Sequence, residues 1–219
     1  MSKKEHYRHM LPHYQQPGQA YFVTWCLKDA VPPKALKRYT QKLEELKNEI
    51  ETAIKQSKES QFIHLLQQEH RTIRRKYMKA FDDLLALQTN PAINLSETRC
   101  TDIIAEALWF FEGKRITNYA YCIMPNHVHW VFLTWEKDEN GNPVYLQDIM
   151  HSIKRHTANR INKLLNRKGV LWQKESFDVT IRDVKHLYHA IEYTVNNPVT
   201  AKMVTTPQDW YGTFGCGGG

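Results

Sequence analysis

Three absences narrow the possibilities for this 219-residue chain. No apolar run approaches the roughly 20 residues that a membrane-spanning helix needs. The opening residues, Met1 to His6, are polar and lack the apolar segment of a secretion signal, so the expectation is a cytoplasmic protein with no membrane partner. Cysteine is scarce: Cys26, Cys100, Cys122 and Cys216 form no Cys-x-x-Cys pair, which argues against a zinc knuckle and for reduced thiols. No internal repeat is visible, and the length fits one core with an elaboration.

Positive charge, by contrast, is plentiful. The net charge is +7 and the isoelectric point about 9.1, which favours a polyanionic partner, nucleic acid being the commonest.

Residues 1–19 read as irregular, and Tyr21 to Leu27 as a strand. Pro32-Pro33 breaks it. Residues 34–88 are a charged helical region in which Leu43, Leu46, Ile50 and Ile54, then Ile63, Leu66, His70, Ile73, Tyr77, Phe81 and Leu84, recur at three- and four-residue steps. A helical hairpin turning near residues 56–60 is expected, with one long bent helix as the alternative. Asn90-Pro91 closes the region. A helix from about Glu97 to Gly113 follows, then strands 116–124 and 127–135. An amphipathic helix from Leu146 to Leu165 comes next, with Gly169 as its C-cap. Short strands are read at 170–173 and 177–182. A last helix over 184–197 is capped by Asp183 and stopped by Pro198. The fold class expected is α+β: a ferredoxin-like split β-α-β core with an antiparallel sheet, helices on one face and a charged helical hairpin inserted at 34–88.

The residues that carry chemistry lie in Pro125-Asn126-His127-Val128-His129. On a strand, residues i and i+2 share a face, so His127 and His129 present paired imidazoles able to hold a divalent metal. Tyr193 and Asn197, four apart on the last helix, face the same way. If that face meets the sheet, a nucleophile, a metal and a third ligand converge. Tyr188 and Tyr121 are rival tyrosines. A phenol is a poor nucleophile at neutral pH, and bound Mg²⁺ or Mn²⁺ would assist its attack by polarising a phosphoryl oxygen.

Several segments resemble a known family. Met124 to His129 looks like the HUH motif of single-tyrosine transposases. Leu171-Trp172-Gln173, Phe177-Asp178, Ile181-Arg182 and Glu192-Tyr193 through Asn197-Pro198 are similar to the REP-associated tyrosine transposases, and Tyr21 to Trp25 to that family's first strand. The resemblance implies one HUH transposase-like domain over 1–219, with 34–88 as a helical insertion. It implies a bacterial metal-dependent endonuclease that cuts and rejoins single-stranded DNA through a 5′-phosphotyrosine at palindromic hairpins. Tyr193 is carried over as the catalytic residue and His127, His129 and Asn197 as metal ligands, with Mg²⁺ or Mn²⁺ as cofactor and a monomer or homodimer as assembly. Where many relatives have a histidine after Phe-Asp, this chain has Val179. That departure motivates the alternative of a catalytically silent nucleic-acid-binding protein.

Candidate DNA contacts are Lys154, Arg155, Arg160 and Arg167 along the polar face of the helix that begins at Leu146 and the residues just after it, Arg182, and Trp172 as a stacking platform. Each has a structural reading as well: a solvated helix face for the cations and core packing for Trp172 and Trp130.

Overall fold

A computed structural model describes residues 6–8, 12–14, 16–32, 34–87 and 91–216. The elements are β1 (His6–Arg8), β2 (Pro12–Tyr14), β3 (Ala20–Cys26), α1 (Lys37–Lys55), α2 (Ser60–Leu87), α3 (Thr98–Trp109), β4 (Ile116–Ile123), β5 (His127–Thr134), α4 (Leu146–Leu164), β6 (Phe177–Thr180), α5 (Val184–Val195), α6 (Asn197–Thr200) and β7 (Thr213–Gly215). They fall into two compact units, one formed by Met1–Lys28 with Thr89–Gly219 and the other by Asp29–Gln88.

In the first unit a five-stranded antiparallel sheet runs β6-β3-β5-β4-β7. Leaving β7 aside, the four remaining strands follow the chain as β-α-β-β-α-β in the spatial order 4-1-3-2, which is the ferredoxin-like α+β arrangement. The register of β5 divides its side chains. Val128, Trp130 and Phe132 face one way, where Trp130 Nε1 donates to Asn118 Oδ1 (2.7 Å) and Asn118 Nδ2 donates to the Leu108 carbonyl of α3 (3.1 Å). Trp25 stacks edge-on against both Trp130 and Trp172, at 6.3 and 6.1 Å, and Trp172 Nε1 donates to Thr157 of α4 at 2.9 Å. This tryptophan cluster joins sheet, α3 and α4 into the main core. His127, His129 and Val131 face the other way, toward α5. The helices therefore lie on both faces and not on one, because β5 is buried along both of its side-chain rows and each row needs a cover.

Local differences from the sequence reading have local causes. A two-stranded ribbon pairs His6 with Tyr14 inside the stretch read as irregular; the rest of residues 1–15 lies outside the described residues. Strand β7 returns onto the edge of β4, where Ile123 N–H donates to the Gly212 carbonyl (2.9 Å). A Cβ at Gly212 would stand 2.9 Å from the Ile123 carbonyl oxygen, so only glycine permits that approach. Helix α4 ends with Leu165 as its C-cap followed by Asn166, not at Gly169. Asn166 takes the left-handed conformation (φ 48°), Arg167 N–H reaches back to the Asn162 carbonyl (2.9 Å) and Asn166 N–H to Lys163 (3.2 Å), a Schellman closure. Of residues 170–173, only Trp172 pairs, as a single bridge to Leu27.

The second unit is an antiparallel helical hairpin. Helix α1 ends in the same kind of closure, with Ser57 left-handed (φ 50°) and Lys58 N–H on the Ala53 carbonyl (3.0 Å). Leu46, Ala53 and Leu66 form its core with Ile50, Ile63 and Ile73 around them. The apolar stripe of α1 ends before the turn, where Ile54 is exposed. Among the described residues no helix is long and apolar enough to cross a membrane.

Candidate active site

The β4–β5 turn fixes the first histidine. Met124 N–H donates to the His127 carbonyl (2.8 Å), Leu95 N–H holds the Pro125 carbonyl (2.9 Å) and Leu27 N–H holds that of Asn126 (2.9 Å). With its backbone tied, Asn126 is buried and its Oδ1 stands 2.6 Å from His127 Nδ1. Across the sheet, β3 pairs Thr24 with His129 and Cys26 with His127. That register brings Thr24 Oγ1 to 2.8 Å from His129 Nδ1. Both Nδ1 atoms are thus engaged, and the two Nε2 atoms face each other at 3.0 Å.

The pair is buried, and burial keeps both rings neutral. The pKa of His127 falls to about 3 and that of His129 well below the usual imidazole range, burial being the cause for both and His127 adding to it for His129. Because Asn126 Oδ1 accepts the Nδ1 proton of His127, the Nε2 of that ring carries a lone pair. Two arrangements satisfy what remains. Either His129 donates from Nε2 to His127 while the Thr24 hydroxyl donates to Nδ1, or a cation lies against both Nε2 lone pairs while His129 Nδ1–H donates to Thr24.

Helix α5 covers this face. Asp183 Oδ1 accepts from His186 N–H (2.8 Å) and starts the helix. The Tyr193 ring leans edge-on to His129 (5.4 Å between centroids) and to Phe22 (5.7 Å), and Phe22 in turn stacks on His129 at 5.5 Å. Tyr193 is 41% exposed, so one side of its ring faces solvent. Asn197 does not share a continuous helix with Tyr193, as the sequence suggested. Helix α5 stops at Val195 with Asn196 as its cap, and α6 begins at Asn197, because Pro198 has no N–H to continue the ladder. The break still delivers Asn197, whose Nδ2 lies 3.2 Å from His129 Nε2. The rival tyrosines stand elsewhere. Tyr121 is buried, pairs with Trp130 on the opposite face and accepts from Trp109 Nε1 (3.3 Å), while Tyr188 is exposed beside His189.

The donor set fits a divalent ion. Two neutral imidazole nitrogens converge, each oriented through its other nitrogen, and a side-chain amide beside them can turn its oxygen inward. No cluster of three or more His, Cys, Asp or Glu occurs among the described residues, and Asn197 lies beside the pair as a candidate third donor.

The family described as "Transposase IS200 like" matches residues 92–197. Over those residues the chain is similar to that family. A putative REP-associated tyrosine transposase of Haemophilus influenzae (strain ATCC 51907 / DSM 11121 / KW20 / Rd) is 30% identical over 100 residues, 43% of this chain and 57% of that protein. The chain thus spans little more than half the length of this curated relative. A solved structure described as a REP-associated tyrosine transposase bound to a REP hairpin is similar with a TM-score of 0.46 and 15% identity, covering 97% of this chain and 82% of that one.

The matched segment contains the turn, both histidines, Tyr193 and Asn197, and all six candidate DNA contacts. Those contacts separate on inspection. Trp172 is withdrawn as a stacking platform, since it is 4% exposed and bonded to Thr157. Lys154 is a clamp: its Nζ donates to the carbonyls of Gln173 (2.7 Å), Lys174 (3.0 Å) and Glu175 (3.4 Å) and to Ser176 Oγ (3.2 Å). Burial lowers its pKa to about 8, against the opposing pull of Cys26 and Glu175. Arg160 pairs with Glu106 of α3, and Arg167 Nη1 donates to Asn162 Oδ1 (2.6 Å). Arg155 and Arg182 are exposed. Arg155 borders a groove of about 740 Å³ between α4 and residues 169–176, lined also by His151, Asn159 and Lys174.

Thr24, Asn126 and Phe22 were not singled out from the sequence. Asn126 adjoins His127 and was visible as a neighbour. Thr24 and Phe22 lie more than 100 residues from His129, and only the β3–β5 register reveals them.

Proposed function

We propose that this chain is a metal-dependent single-stranded DNA endonuclease and transposase that works through Tyr193. The observation that carries the reading is the convergence of Tyr193 and Asn197 on a buried, neutral histidine pair within one chain. In the proposed reaction Tyr193 Oη attacks the phosphorus of a phosphodiester. A Tyr–O–P bond forms, the bond from phosphorus to the 3′-oxygen breaks, the phenolic proton passes to solvent and the released 3′-oxygen takes up a proton. The product is a 5′-phosphotyrosine and a free 3′-OH, and reversal with another 3′-OH rejoins the strand. When bound at His127, His129 and Asn197, Mg²⁺ or Mn²⁺ supplies charge neutralisation at the phosphoryl oxygens.

Thr24 and Asn126 orient the imidazoles, and Phe22 props the tyrosine ring against His129. The proposed nucleophile and ligands all come from one chain, which supports action as a monomer. The working unit in this reading is a single domain over 1–219 interrupted by the insertion at 34–88. The REP-associated name of the Haemophilus relative supports palindromic hairpins as substrate. Incubating the protein with short hairpin oligonucleotides and Mn²⁺ should give a covalent adduct on denaturing gels. Tyr193→Phe should abolish nicking and adduct while binding persists; an undiminished adduct in that variant defeats the assignment.

One observation favours a second reading. Val179 of β6 pairs with Phe22 and so shares its face of the sheet. It puts an apolar side chain on the catalytic row. A silent DNA-binding protein would bind the hairpins and yield no adduct with either metal.

A further inference from the structure

The helical hairpin separates its charges along its length. Residues 34–42 carry four cations, Lys34, Lys37, Arg38 and Lys42, and no acid. Residues 70–79 carry five cations and again no acid. The remainder of the hairpin, 43–69 and 80–87, has three cations against eight acids. The antiparallel packing sets the two basic stretches side by side: Tyr39 of α1 meets Tyr77 of α2 at 6.3 Å between rings, and Lys42 reaches Glu69 at 3.5 Å. The result is a basic band at one level of the hairpin and an acidic remainder beyond it.

We infer that this band is a binding surface for the phosphate backbone of duplex DNA, such as the stem of a hairpin substrate. Its partner rests on the DNA-directed function proposed above; its charge pattern does not. Three features bear on the choice of partner. Arg71 and Arg75, both exposed, stand four residues apart on one face of α2, a like-charge spacing that destabilises a helix unless an anion relieves it. Only at the margins of the band do acids reach its cations, as in Lys79–Asp83 and Lys42–Glu69, and in the acidic part Lys47 pairs with Glu51. His70, half-buried beside the band, has its pKa lowered by burial and then by Arg74, Lys47 and Arg71, as a positive local field requires. The aromatic rings of the band pack on one another: Tyr77 is buried against Phe81 at 6.2 Å, and Tyr39, partly buried, meets Tyr77 edge-on. Without an outward ring among its described residues the band has no platform for unpaired bases, and backbone charge is what it can read. A duplex carries one charge per about 1.7 Å of axis, so the roughly 12 Å of helix from Arg71 to Lys79 faces several phosphates at once.

The test is the full chain carrying Arg71→Ala, Arg75→Ala and Lys76→Ala together, with Glu45→Gln and Glu49→Gln as a control in the acidic part. Circular dichroism and thermal melting establish that each variant is folded. Binding is measured by fluorescence anisotropy against a labelled stem-loop and an unpaired dT oligonucleotide across a salt series. The basic variant should lower the slope of log Kd against log salt by about 2–3 on the stem-loop. It should leave the dT oligonucleotide nearly unaffected, and the control should bind as the parent does. An unchanged slope on the stem-loop overturns the inference, and so does an equal loss on both DNAs. Adduct formation on the same oligonucleotides keeps the two proposals apart. Adduct with an unchanged slope removes the band alone, whereas a lowered slope without adduct removes the nuclease reading and leaves the band.

Discussion

Thr24 and His129 stand opposite each other across β3 and β5, with Oγ1 and Nδ1 2.8 Å apart in a buried setting. A hydroxyl can both donate and accept a hydrogen bond, so it serves His129 in either tautomer. A ligating histidine oriented in this way loses affinity when the outer partner is removed, typically by 10–100-fold. Thr24→Val keeps the branched shape and deletes the hydroxyl. We expect weaker Mn²⁺ binding by isothermal titration within that range, with hairpin binding in the absence of metal unchanged. Equal Mn²⁺ affinity in parent and variant would show that Thr24 only fills space.

The facing Nε2 atoms of His127 and His129 should also be visible in stability. A ligand that binds only the folded chain stabilises it by about 2.7 kcal/mol at 100 times its Kd. For a chain of this size that corresponds to a rise in melting temperature of several degrees. Mn²⁺ should raise the melting temperature of the parent at pH 7.5, and His129→Ala should remove that rise. A shift that survives in the variant places the cation elsewhere.

Lys154 offers a contrast between two roles. A lysine held by three carbonyls and a hydroxyl closes the 173–176 loop onto α4, and its removal leaves those acceptors unpaired. Lys154→Met should therefore destabilise the fold by about 1–3 kcal/mol in urea denaturation. The salt slope of DNA binding should stay as in the parent. A lowered slope with unchanged stability would restore Lys154 as a phosphate contact.

The sequence made different parts of this molecule legible to different degrees. Tyr21–Leu27 and residues 116–134 were legible because these strands are long and rich in β-branched and aromatic residues, being buried on both faces. The three-residue strands β1, β2 and β7 are too short to show any alternation, and β7 depends on Gly212 fitting against Ile123. His127, His129, Tyr193 and Asn197 could be named as candidates because two short motifs contain them. Thr24 could not, since nothing near residue 24 specifies which residue of β5 it will oppose. Lys154 was offered as a DNA contact because helix periodicity does not reveal a loop that folds back over one side, while for Trp172 the core-packing reading given beside the stacking one is what the structure shows. The Tyr193–Asn197 pairing was reached through a continuous helix that Pro198 in fact interrupts; the short turn of α6 brings Asn197 in by another route.

Acid should expose the cost of the buried imidazoles. His127 has its pKa lowered to about 3 and His129 is shifted in the same direction, both through burial, while in the unfolded chain each titrates near 6.5. Below pH 6.5 the unfolded chain takes up protons that the folded one refuses, so stability falls as the pH falls and is fully present above that value. Each histidine then contributes a slope of up to about 1.4 kcal/mol per pH unit. His70, lowered less strongly, adds in the same direction and remains in every variant considered. Melting temperatures measured without metal from pH 7.5 to 5.0 should decline in the parent. The decline should be shallower in the double variant His127→Gln, His129→Gln, which has no imidazole to protonate there. Parallel curves for the two proteins would mean that the pair accepts a proton in the folded state, and the neutral donor set proposed for the metal would have to be abandoned.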